Sequence, residues 1–136
     1  MPLSDLRVLD LSDHAGALCS RLLADLGADV VRVEPSSSDG AGLAHSYPNA
    51  NKRSVRLDAS ERRALDQLRS LVSSADVIVD ARSMAPQLPV GSPDPLDEPP
   101  PAAVVLRVTP FGSSGPRAHW KGSDLVCAAR GGMVFV

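Results

Sequence analysis

A strand, a helix and a second strand are encoded in the first 35 residues, and that unit limits what the rest of the chain can build. Residues 6–35 read LRVLDLSDHAGALCSRLLADLGADVVRVEP. Residues 7–11 are mostly aliphatic and suit a short strand. Residues 12–16 form a turn, and residues 17–26 place Leu18, Leu22, Leu23 and Leu26 at helical spacing. Gly27 follows where a left-handed helix cap is wanted, since glycine has no Cβ to clash there. Residues 30–33, with Val30, Val31 and Val33, predict a second buried strand that Pro35 stops. A strand, a crossover helix and a returning strand make a βαβ unit, whose strands are parallel and whose crossover is right-handed.

The remaining chain adds strands to that sheet. Residues 36–51 lack periodicity and are expected to be a surface loop. Residues 55–58 alternate as a strand, with Ser60 as the expected N-cap of the next helix and Glu61 in its first turn. Ala64, Leu65, Leu68, Leu71 and Val72 give that helix an apolar stripe, and residues 76–80, DVIVD, form another strand. Seven of the twelve prolines fall within residues 84–101, which predicts an extended, semi-rigid connector. Residues 103–108 are a strand, 109–116 a turn-rich segment, and 125–129 a helix closed by Gly131 and Gly132. The expected class is α/β: one Rossmann-like domain over residues 1–136 with a mostly parallel sheet and flanking helices. Ligands of such sheets sit at the carboxyl ends of the strands.

Several function classes receive no support. A formal charge of −2 gives no reason to expect nucleic acid or an anionic membrane. No apolar run approaches the ~18 residues of a membrane span. The start, MPLSD, lacks the basic and apolar regions of a signal peptide, so a cytoplasmic location is expected. Cys19 and Cys127 are then reduced thiols, too few for a zinc site. No dinucleotide fingerprint, P-loop or nucleophile elbow occurs. His14, His45 and His119 read as structural or solvated residues, with His14 singled out by its place in the first strand-to-helix turn. The pair Lys52 and Arg53 allows two readings, a solvated strand entry or an anchor for phosphate oxygens.

Taken together, the blocks LRVLDLSDHAG, LLADLGADVVRVEP, NKRSVRLD, ADVIVD, TPFGSSGP and KGSDLVCAARGGM resemble the family III CoA-transferases, from about Leu6 to Met133. That family includes formyl-CoA and carnitine-linked transferases and the α-methylacyl-CoA racemases. The resemblance implies a CoA or acyl-CoA thioester as ligand, no covalently bound cofactor, and a Rossmann-like N-terminal portion. By position it implies CoA contacts at His14 and Ala15, at Leu57, Asp58 and Ser60, at Ala81, Arg82 and Ser83, and at Lys121. Lys52 and Arg53 join this set as phosphate anchors. It also implies interlocked homodimers, or here a complementary chain carrying the C-terminal half.

The chain departs from the family pattern in ways that bear on chemistry. The family's aspartate nucleophile lies beyond the Gly-Gly-Met block, and Asp124 belongs to the block before it, so no catalytic residue is assigned within these 136 residues. Ser123 stands where the racemases carry a histidine. The first turn is one residue short, and residues 80–85, DARSMA, replace the usual Glu-Asn-Phe segment. Two functional expectations follow. One is the CoA-binding portion of a transferase that needs an aspartate-bearing half. The other is a non-catalytic module binding acyl-CoA or another protein.

Overall fold

The structure, a computed structural model, describes residues 1–12, 14–37, 42–82 and 93–134. Five strands, β1 (Arg7–Leu11), β2 (Asp29–Pro35), β3 (Arg53–Leu57), β4 (Val77–Asp80) and β5 (Val104–Arg107), form one parallel sheet in the order β3-β2-β1-β4-β5. Among the described residues four helices accompany them: α1 (His14–Asp25), α2 (Leu43–Asn49), α3 (Arg62–Ser73) and α4 (Asp124–Arg130). The α/β, Rossmann-like expectation holds. The chain moves outward from β1 in one direction through β2 and β3, then returns to β1's other side with β4. In sheets of this class such a reversal, here between β1 and β4, is where a ligand crevice forms outside the carboxyl ends of the strands.

Successive side chains of a strand face opposite ways, so the sheet has two unlike faces. On one, Leu9, Leu11, Val33, Leu57 and Ile78 meet Ala64, Leu68 and Val72 of α3, and Leu68 is wholly buried. On the other, Val8, Val30 and Val79 meet Ala24 and Ala28. Fully burying a leucine of this kind contributes about 1.5–3 kcal/mol.

Three expectations are corrected. Of the four leucines at helical spacing, Leu23 packs against the core, whereas Leu18, Leu22 and Leu26 are exposed and Ala17, Ser20 and Ala24 are buried. Small residues let the helix lie close to the sheet, and Leu18 and Leu22 are left on its outer side. Residues 36–51 are not all loop, because α2 forms there without a buried residue and with Pro48 inside it. Polar contacts hold it instead: Arg21 donates to the Tyr47 carbonyl and Asn51 to Asp25. Ser60 is not a helix cap, since α3 starts at Arg62 after Glu61 and has no side-chain cap. Both the amide and the hydroxyl of Ser60 are instead taken by Asp58 Oδ1, at 2.9 and 2.6 Å. The described part of the proline-rich connector packs against the domain. Leu96 is 1% exposed within the α3-side core, and Arg107 donates to its carbonyl at 2.8 Å. Residues 83–92, which include Ser83 and the start of that connector, lie outside the described residues.

Candidate functional site at the carboxyl edge of the sheet

The parallel topology brings the turns after β1, β3 and β4 to one edge of the sheet. The first of these turns is the most constrained. Helical geometry is broken at Ala15, with ψ 121°, and at Gly16, with φ 92°, so the regular helix begins at Ala17. A side chain at Gly16 would sit 3.1 Å from Ser12 Cβ and 3.2 Å from Val79 Cγ1. Both the dihedral and the space therefore call for glycine. His14 is exposed on this turn and Ala15 half-buried.

Beneath the turn lies a carboxylate that sequence reasoning passed over. Asp10, the next-to-last residue of β1, is 0% exposed. Its Oδ1 accepts the Ser12 amide at 3.0 Å and the Ser12 hydroxyl. Its Oδ2 accepts the Ser20 hydroxyl at 2.6 Å and Lys52 Nζ at 2.8 Å. Lys52 Nζ also donates to the Ala17 carbonyl at 2.8 Å and to Asn49 Oδ1 at 3.1 Å. All three ammonium protons are thereby used. Burial lowers the Lys52 pKa below that of an ordinary lysine, with a smaller push from Arg32 and against the pull of Asp10. The signal for this pair was present in the sequence as an aspartate inside the apolar run VLDL and a serine within a helix of small and aliphatic residues.

Lys52 and Arg53 therefore part company. The Lys52 side chain is only 1% exposed, which makes it an internal cation and not a solvated strand entry. Arg53 is exposed and paired with Asp29 through Nε at 2.8 Å and through Nη2. Asp29 begins β2, so this pair lies toward the opposite end of the strands from the crevice.

At the end of β3, Leu57 is buried in the core. Asp58 gathers Ser60 and Ser36, the latter donating at 3.1 Å, and these hydrogen bonds hold its carboxyl below the usual carboxylate range. At the end of β4, Ala81 is 1% exposed and Arg82 6%. Arg82 Nε donates to Asp80 at 2.9 Å, and Nη2 donates to Asp94 at 2.9 Å. Burial disfavours the charged guanidinium, yet the hydrogen bonds with Asp80 and Asp94 outweigh it and raise the Arg82 pKa. Its charge is thus largely answered within the protein.

Lys121 is exposed, and the described contacts do not join it to the first turn. It follows Trp120, whose ring meets Phe111 edge-to-face at 5.9 Å and lies under the guanidinium groups of Arg117 and Arg130. Ser123 caps α4 by accepting the Val126 amide.

A concavity of about 290 Å³ lies on the α2-covered side of the sheet, lined in part by Arg32, Glu34, His45, Asn49 and Lys52. There Glu34 faces His45 Nε2 at 3.3 Å and Arg32 Nε at 3.2 Å. The Arg32 contact is an ion pair without hydrogen-bond alignment. Among the described residues no cluster of three or more histidine, cysteine or carboxylate side chains is arranged for a metal. No described helix is long and apolar enough to cross a membrane.

Comparison with known proteins gives this edge its context. The family model for CoA-transferase family III matches residues 3–136. A probable fatty acyl-CoA transferase of Mycobacterium tuberculosis, Rv3272, is 33% identical over 97% of this chain and 37% of its own length. A succinyl-CoA:(R)-benzylsuccinate CoA-transferase subunit of Thauera aromatica is 32% identical over 98% of this chain and 36% of its own. An orthorhombic crystal structure of Rv3272 superposes with a TM-score of 0.80 at 34% identity, covering 98% of this chain and 39% of that one. The chain thus spans little more than a third of the length of these relatives. It belongs to CoA-transferase family III.

Proposed function

We propose that this chain is the CoA-thioester-binding portion of a CoA-transferase, with the thioester lying along the carboxyl edge between β1 and β4. The observation that carries this is a strand-order reversal at β1 and β4 in a chain whose family handles CoA thioesters. The free N–H groups at the start of the helix beyond Gly16 favour an anionic oxygen there. His14 and Ala15 on the first turn, Leu57, Asp58 and Ser60 after β3, and Ala81 and Arg82 after β4 flank the ligand. Because Asp80 and Asp94 answer Arg82, we assign the phosphate counter-charge to Lys121 and give Arg82 the task of shaping the edge. Lys52 and Arg53 are not assigned direct contacts, since one is internal and the other is paired with Asp29.

Transfer itself needs a nucleophile. The family's chemistry passes an acyl group through an aspartate, and none of these 136 residues is assigned that role. Turnover by this portion therefore requires the aspartate-bearing half, whether from a longer chain or a complementary chain. A second reading, a non-catalytic module that docks another protein, draws on the exposed Leu18 and Leu22 of α1 and Val104 of β5.

Calorimetric titration with CoA and acetyl-CoA tests the proposal. Micromolar binding is expected, weakened about tenfold or more in Lys121→Ala by loss of a charged hydrogen bond worth ~1.5–3 kcal/mol. Absence of binding at millimolar ligand would reject it.

A further inference from the structure

We propose that the buried pair Asp10–Lys52 is the positioning element of the first turn, holding Ser12 and residues 14–17 in the shape that receives the thioester. This rests on the CoA-binding proposal and goes beyond it by assigning the turn's geometry to two residues that touch no ligand.

The geometry is one of clamping from below. Asp10 holds the residue that opens the turn, Ser12, by two hydrogen bonds, and holds α1 beyond the turn through Ser20. Lys52 arrives from before β3 and takes the Ala17 carbonyl, the first in the regular helix. The turn is thus gripped on both sides by one ion pair that has no solvent access, at 0% and 1% side-chain exposure. Gly16 at φ 92° is a residue that readily takes other conformations, and Ala15 is extended. A glycine held in a single state from outside is a pre-organised turn, and pre-organisation lowers the entropy that a ligand must remove on binding. The ammonium is faced by Asp10 on β1, Cys19 on α1, Arg32 on β2 and Asn49 on α2. Asp10 is the carboxylate that anchors it.

The test uses the whole 136-residue chain and four variants: Lys52→Met, the charge-free double variant Asp10→Asn with Lys52→Met, Ser20→Ala, and Val72→Ala as a control. Val72 lies in the core on the opposite face of the sheet, so its loss lowers stability without touching the turn. CoA affinity is read by calorimetry, and order in the turn by amide hydrogen exchange at Gly16 and Ala17. The expected result is a loss of CoA affinity of about tenfold in the double variant and a smaller loss in Ser20→Ala. Exchange at Gly16 and Ala17 accelerates in both, while Val72→Ala keeps wild-type affinity at a comparable fall in melting temperature. If Lys52→Met does not fold, the double variant and Ser20→Ala carry the test. Wild-type affinity and unchanged exchange in these variants would overturn the inference while leaving the CoA proposal standing. A wild-type chain that binds no CoA would overturn the CoA proposal and the ligand role of the turn together. Exchange at Gly16 would then still decide whether the pair holds the turn.

Discussion

Replacing Lys52 by methionine keeps the aliphatic stem and removes the charge, which isolates what the ammonium does for Asp10. In the wild type the Asp10 carboxylate is 0% exposed and accepts from two serine side chains, one amide and Lys52. The methionine variant leaves that carboxylate buried with only neutral donors. Breaking a buried pair in this way costs about 3–5 kcal/mol, a large part of the ~5–15 kcal/mol available to a domain. Adding Asp10→Asn should recover much of the loss, because neither buried charge remains. Urea unfolding followed by circular dichroism measures both variants. A Lys52→Met loss below ~1 kcal/mol, or no recovery in the double variant, would show that the pair is not buried as described.

Gly16→Ala forces a side chain into a left-handed turn and within 3.2 Å of Ser12 and Val79, so a loss of about 1–3 kcal/mol by urea unfolding is expected. Leu68→Ala opens a cavity against Leu9 and Ile78 and should cost about 2–5 kcal/mol in the same assay, with no specific effect on the first turn. Ser60→Ala removes the first of the hydrogen bonds that hold Asp58 low. Carboxyl chemical shifts should therefore show Asp58 titrating at higher pH in the variant than in the wild type. In the wild type the Asp58 contribution to stability is present above its unfolded pKa and fades as pH falls through the lower folded value.

Much of this fold was legible because residue spacing reports burial. The run LRVLDL, the cap at Gly27 and the valines of β2 place the first βαβ unit, and the stripe ending at Val72 places α3 on its core face. The errors share a physical origin: spacing shows which residues lie together and not which neighbours they meet. The α1 leucines have helical periodicity, yet the sheet is approached through Ala17, Ser20 and Ala24. Helix α2 has no apolar stripe to read, because hydrogen bonds and ion pairs secure it. Leu96 gave no signal among its prolines, since a single buried side chain has no period.

The site was legible as a place and less so as a mechanism. Parallel strands fix the edge on which the turns after β1, β3 and β4 gather. Which cations remain available there depends on pairings far apart in sequence, such as Lys52 with Asp10 and Arg82 with Asp94. Positive charge near a strand entry reads the same in a sequence whether it faces water, a phosphate or an internal carboxylate. Burial separates these cases.

The central claim is that a CoA thioester lies along the edge between β1 and β4. Titrating the isotope-labelled chain with CoA and mapping amide shifts tests it most directly. The account predicts saturable shifts at Ala15, Gly16, Ser60, Ala81 and Lys121, with Arg53 and Val72 unmoved. Shifts confined to the Arg32 and His45 side of the sheet, or none at millimolar CoA, would contradict it.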